Sequence, residues 1–203
     1  MTPSAAALWL NTVFAGFDAW GLSALHAVQQ SGADVVFGPL ARMMALLGQG
    51  GIFLLVLGAA LCCFRKTRKT GLAMLLAVGL GFLVTNVLLK PLIYRPRPYA
   101  DESRVFYRWW LEAGAVKESD RSFPSGHVTV AMTSATAFFR TGAAGKRWPV
   151  FFFPLLMALS RCYLMVHYPS DVLAGLLVGL LTGSLAAWLI SWLSRGRGTK
   201  GKE

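Results

Sequence analysis

A chain of 203 residues, 55% hydrophobic and only 14% charged, has the length of one domain but is too apolar for an ordinary soluble globule. Its net charge of +11 does not describe a nucleic-acid-binding face, because the cations fall into three short, separate segments. These are Arg65, Lys66, Arg68 and Lys69, then Arg140, Lys146 and Arg147, then Arg195, Arg197, Lys200 and Lys202, with Glu203 the one acid among them.

The first segment, Ser4 to Gln30, is apolar but interrupted by Asn11, Asp18, His26 and Gln29–Gln30. With Trp9, Phe14, Phe17 and Trp20 it reads as a helix lying in the membrane interface, a sixth span being the alternative. It lacks the basic leader of a cleaved signal peptide. Five runs follow that approach the ~20 apolar residues a bilayer requires: 40–63, 71–93, 125–141, 148–167 and 171–193. The fold class expected is therefore all-α, an integral membrane bundle of five to six transmembrane helices. It forms one domain over 1–203, with 1–38 as interfacial helix or first span.

Basic loops mark the cytoplasmic side. Five spans put all three basic segments there, including the tail 195–203, and leave 94–124 and 168–170 outside the cytoplasm. Residues 94–124 make the one long hydrophilic loop, nearly neutral in sum, and Trp109 and Trp110 within it read as interfacial anchors. On the last span Gly175, Gly179 and Gly183 recur every four residues, a stripe that predicts close packing inside the bundle. Cys62, Cys63 and Cys162 have neither metal-ligand nor disulfide-framework spacing.

A second set of polar residues is not explained by topology alone. Lys90 ends the second span and Arg97 follows it; Ser125, Gly126 and His127 open the third; Arg161, His167 and Asp171 straddle the fourth and fifth. All reach the same extracytoplasmic level, although a charge near mid-bilayer costs at least ~2.5–3.5 kcal/mol on insertion scales. In FPSGH, residues 123–127, the amides of Ser125, Gly126 and His127 at a helix start form an anion site. Lys90, Arg97 and Arg161 add cations, two of them guanidinium forks suited to phosphate oxygens. Asp171 can orient the His167 ring and leave its other nitrogen free to attack, while His127 can protonate a leaving oxygen. Such a set suits a phosphomonoester or diphosphate hydrolase.

Lys90-x6-Arg97-Pro98, Pro124-Ser125-Gly126-His127 and Ser160-Arg161-x5-His167-x3-Asp171 resemble, in order and spacing, the three signature motifs of the type 2 phosphatidic acid phosphatase superfamily. The resemblance implies a metal-independent reaction without cofactors. His167 would form a phosphohistidine, oriented by Asp171. His127 would act as general acid and then base, and Lys90, Arg97, Arg161, Ser125 and the Gly126 amide would hold the phosphate. It implies a lipid phosphate substrate, with membrane lipids as surroundings and no nucleic-acid partner, and leaves the oligomeric state open. Undecaprenyl diphosphate is the favoured substrate, since Arg95, Arg104 and Arg108 offer extra cations for a second phosphate. Phosphatidylglycerol phosphate and phosphatidic acid are alternatives. The expected place is the inner membrane, with the site on the extracytoplasmic side. A binding or transport protein for anionic lipids is the reading from another class. Arg95 lies outside the motif pattern and reads as an interfacial cation, and His26 reads as a surface residue.

Overall fold

In the computed structural model, which describes residues 3–142, 145 and 147–196, every regular element is helical. Lys146 and the cations beyond Arg195 lie outside the described residues. Glycines and prolines set the boundaries. Ser4 caps α1 (Ala5–Val13) through a bond from the Ala7 amide, and a break at Phe14 leads into α2 (Ala15–Val28). Gly32, at φ 78°, turns the chain into α3 (Asp34–Gly48), and Gly50 and Gly51, at φ 60° and 69°, bend it into α4 (Ile52–Cys62). Only glycine enters this left-handed region without strain. The first predicted span thus begins earlier than residue 40 and is kinked rather than straight.

The basic loop leads into α5 (Arg68–Phe82), which widens to a π-helical stretch over Leu83–Leu89 and closes with α6 (Lys90–Ile93). Residues 94–124 are not simply a loop: they contain α7 (Val105–Glu112). Then come α8 (Gly126–Thr141), α9 (Phe152–Tyr163) and α10 (Pro169–Gly196). Helix α9 stops short of the predicted 167 because residues 164–166 form a tight turn with Met165 at φ 55°.

Among the described residues, three helical stretches are long and apolar enough to cross a membrane: Ala15–Cys62, Arg68–Ile93 and Pro169–Arg195. Large apolar side chains cover their outer faces, Leu46, Leu181 and Trp188 among them, as a lipid solvent requires. The protein is integral to the membrane. Helix α8 is different: Thr129, Thr133, Ser134 and Thr136 are buried, because the helix is enclosed by α5, α9 and α10 rather than by lipid. Thr133 Oγ1 lies 2.9 Å from Thr182 Oγ1 on α10 and donates to the Ala77 carbonyl on α5 at 3.3 Å. The predicted glycine stripe packs here: a Cβ on Gly175 would stand 2.9 Å from the Ser125 carbonyl that caps α8, and one on Gly179 or Gly183 would stand 2.6 or 2.5 Å from atoms of α8 itself.

Trp110 is not an interfacial anchor. It is buried in the main apolar cluster, stacks on Tyr99 at 4.5 Å and donates its indole N–H to the Val116 carbonyl. Trp109 stacks on His26 at 4.4 Å, and His26 Nε2 lies 2.8 Å from Glu112 Oε2. The 94–124 segment is therefore clamped to the end of α2, and His26 is a contact residue rather than an isolated surface group.

Candidate active site

Each candidate side chain stands where a helix begins or ends, all at the bundle end away from the 65–69 loop. Tyr94, in the left-handed region, terminates α6 and turns the YRPRP segment back over the bundle. The N-terminus of α8 is fixed by the Ser125 amide donating to the Asp171 carbonyl at 3.1 Å. That amide is thus not part of a free anion nest, contrary to the sequence expectation, and the Ser125 hydroxyl is buried without a partner. Gly126 opens the helix at a crowded point, where a Cβ would come 3.2 Å from Lys90 Nζ. Arg161 is in the last turn of α9 and fully buried. His167 precedes α10 and Asp171 lies in its first turn, so the pair straddles a helix junction as the Tyr-Pro step predicts.

Lys90, Arg97, Gly126, His127 and His167 line one cavity of about 810 Å³. Its other end is walled by Leu55, Leu75, Val78 and Phe82 of α4 and α5. A polar head and an apolar floor in one space fit an amphiphile. Arg161, Ser125 and Asp171 stand behind this lining.

Two acids that sequence reasoning treated only as loop charge occupy the cations. Asp120 pairs with Lys90 and with Arg97 Nη2 (2.5 Å), and Glu118 pairs with Arg161. Burial acts to raise the Asp120 pKa, but the Lys90 and Arg97 charges outweigh it and hold the carboxyl below its ordinary range. The available signal was positional: both acids lie a few residues before FPSGH.

The His167 ring is buried, and burial together with the charges of Arg97, Arg161 and Lys90 lowers its pKa well below the usual imidazole value. It is therefore neutral at pH 7. Arg97 Nη1 lies 3.2 Å from His167 Nε2, and since a guanidinium only donates, Nε2 is the acceptor and the ring proton sits on Nδ1. Nδ1 faces Asp171 Oδ2 at 3.6 Å, too long for a hydrogen bond, so the expected His–Asp bond is not closed here. Such contacts commonly tighten only when substrate is bound.

Arg95 departs most from expectation. It is 1% exposed, not an interfacial cation, and bonds Asp171 Oδ1 (2.5 Å) and Asp18 Oδ2 (2.7 Å).

The family model described as the PAP2 superfamily matches residues 70–195. Undecaprenyl-diphosphatase BcrC of Bacillus subtilis is 34% identical over 100 residues, covering 49% of this chain and 47% of that protein. Decaprenylphosphoryl-5-phosphoribose phosphatase of Mycobacterium tuberculosis is 37% identical over 128 residues, covering 62% and 63%. The matches thus span less than two thirds of these relatives' lengths. Among solved structures, a transmembrane PAP2-type phosphatidylglycerolphosphate phosphatase from Bacillus subtilis superposes with TM-score 0.62 at 28% identity, over 94% of this chain and 91% of that one.

Proposed function

This chain belongs to the PAP2 superfamily, and from that premise we propose that it is an integral membrane lipid phosphatase, with undecaprenyl diphosphate as its favoured substrate. The observation that carries the reading is the meeting of Lys90 and Arg97 beside a neutral His167 at the polar end of a cavity with an apolar floor, with Arg161 behind that lining on Glu118. Two carboxylates, Glu118 and Asp120, pair with three cations here. A phosphate dianion carries the same charge as that pair and can replace it.

In this reading the substrate phosphate displaces Glu118 and Asp120 and is gripped by Lys90, Arg97 and Arg161, with Ser125 and the Gly126 amide completing the cradle. His167 Nε2 attacks phosphorus; a P–N bond forms and the bond to the leaving oxygen breaks. His127, which takes up a proton once the phosphate dianion offsets the surrounding cations, gives that proton to the leaving oxygen. The Nδ1 proton of His167 moves toward Asp171, which stabilises the developing imidazolium. His127 then takes a proton from water, whose oxygen attacks the phosphohistidine and releases inorganic phosphate. No step calls for a metal ion or cofactor. The lipid chain lies along Leu55, Leu75, Val78 and Phe82, toward the bilayer.

The basic loop between α4 and α5 lies at the opposite end from the cradle, which supports an extracytoplasmic site in an inner membrane. The two relatives matched by sequence act, by their names, on undecaprenyl and decaprenyl substrates, which favours the prenyl diphosphate, whereas the matched solved structure is named a phosphatidylglycerolphosphate phosphatase. Purified protein in detergent without divalent metal should release phosphate from undecaprenyl diphosphate faster than from phosphatidylglycerol phosphate or phosphatidic acid. Release from none of the three would overturn the hydrolase reading, and a faster rate on either phospholipid would overturn the substrate choice.

A further inference from the structure

Resting on the phosphatase reading above, we infer that Arg95 and Asp18 are positioning residues: together they hold Asp171 where it must stand to orient His167. Asp171 is fully buried and its two oxygens face three donors: Arg95 Nη1 on Oδ1 at 2.5 Å, and Ser122 Oγ (2.5 Å) and the Tyr168 amide (2.9 Å) on Oδ2. Among them Arg95 alone carries charge. Three of its four other N–H groups also have partners. Nη2 donates to Asp18 Oδ2 at 2.7 Å, Nε to Asn11 Oδ1 at 2.8 Å, Nη1 also reaches Ser170 Oγ at 2.7 Å, and the guanidinium lies 4.2 Å from the centre of the Tyr168 ring.

Asp18 is the far end of this relay. It comes from α2, and α2 approaches α10 closely enough that a Cβ on Gly21 would stand 2.7 Å from Pro169 Cγ. That contact brings Asp18 beneath the α10 N-terminus, where Oδ1 accepts from the Ser170 amide (2.9 Å) and Oδ2 from its hydroxyl (2.8 Å). A negative side chain is favoured at that end of a helix. The N-terminal segment is thereby built into the support of the reaction centre.

Stability is a weak explanation for this arrangement. A buried ion pair gains little over apolar packing of the same volume, because the desolvation of each charge offsets the attraction. What the triad supplies is geometry: a carboxylate fixed from behind, with one oxygen 3.6 Å from His167 Nδ1. Without Arg95 the Asp171 side chain keeps two neutral donors, both on the oxygen that faces the histidine.

The test compares wild type with Arg95→Gln, Arg95→Lys and Asp18→Asn in detergent. It measures kcat and KM on undecaprenyl diphosphate, the inhibition constant of orthovanadate and thermal unfolding. Removing the partner of an orienting group typically costs about 10- to 100-fold. Arg95→Gln should lower kcat by about 100-fold and Asp18→Asn by about 10-fold, with Arg95→Lys between wild type and Arg95→Gln. KM and the vanadate constant should stay within about threefold, since the cradle is untouched. Asp18→Asn preserves shape and keeps the test open if Arg95→Gln does not fold. Folded variants with kcat within about twofold of wild type would overturn the inference while leaving the phosphatase reading intact. So would a kcat loss matched by an equal weakening of vanadate, which would put Arg95 in the cradle. Wild type that releases no phosphate sinks both.

Discussion

Two arginines separated by one proline in YRPRP meet carboxylates in opposite ways. Arg97 pairs with Asp120, whose side chain is 44% exposed and lines the open cavity. Arg95 pairs with Asp18 and Asp171, 4% and 0% exposed, in a sealed interior. The chemistry of the pair is the same, and access decides its use. An exposed carboxylate on a cradle cation can be exchanged for an incoming phosphate. A buried one has no such competitor and holds its partner permanently.

The largest effect expected is at the reaction centre between the two regions. His167→Ala should lower phosphate release by at least ~1,000-fold, measured at saturating substrate, because it removes the nitrogen proposed to attack phosphorus. Arg97→Lys should come next. Replacing a forked donor by a point charge is expected to cost roughly 10- to 100-fold in kcat/KM and to weaken vanadate in parallel. That parallel loss is the signature Arg95 variants should lack, so the two profiles together test whether the arginines differ in role.

Asp120→Asn works in the other direction. With the competing charge removed from Lys90 and Arg97, KM and the vanadate constant should both fall, by about threefold to tenfold, with kcat little changed. A rise in either would mean that Asp120 helps to build the cradle rather than fill it. The smallest effect is in pH. His167 has a depressed pKa and its active form is the neutral one, so activity persists as pH falls through the ordinary imidazole range. The acid limb of kcat/KM should therefore lie below about pH 6.5, whereas a limb at or above that value would contradict a buried, cation-flanked ring.

The parts of this arrangement that local patterns encode could be read in advance. The Tyr168–Pro169 step predicts a helix junction between His167 and Asp171, and the glycines at 175, 179 and 183 predict the α8–α10 contact. Arg95 could not be read this way. Its role depends on Asp18, 77 residues earlier, and no periodicity links two residues on separate elements. Glu118 and Asp120 are no more legible, because a loop neutral in sum says nothing about which acid meets which cation. Trp110 carries the composition of an interfacial anchor, but Tyr99 and the Val116 carbonyl provide it with a buried place.

On the proposed mechanism, His167 carries the phosphoryl group during turnover. Rapid alkaline quenching of the enzyme during hydrolysis of undecaprenyl diphosphate, followed by mass spectrometry of the peptide containing residues 161–171, tests it directly. A phosphoryl group on His167 that appears during turnover and disappears once substrate is exhausted is the predicted result. Steady phosphate release with no modified His167 peptide, or with the group on another residue, would contradict it.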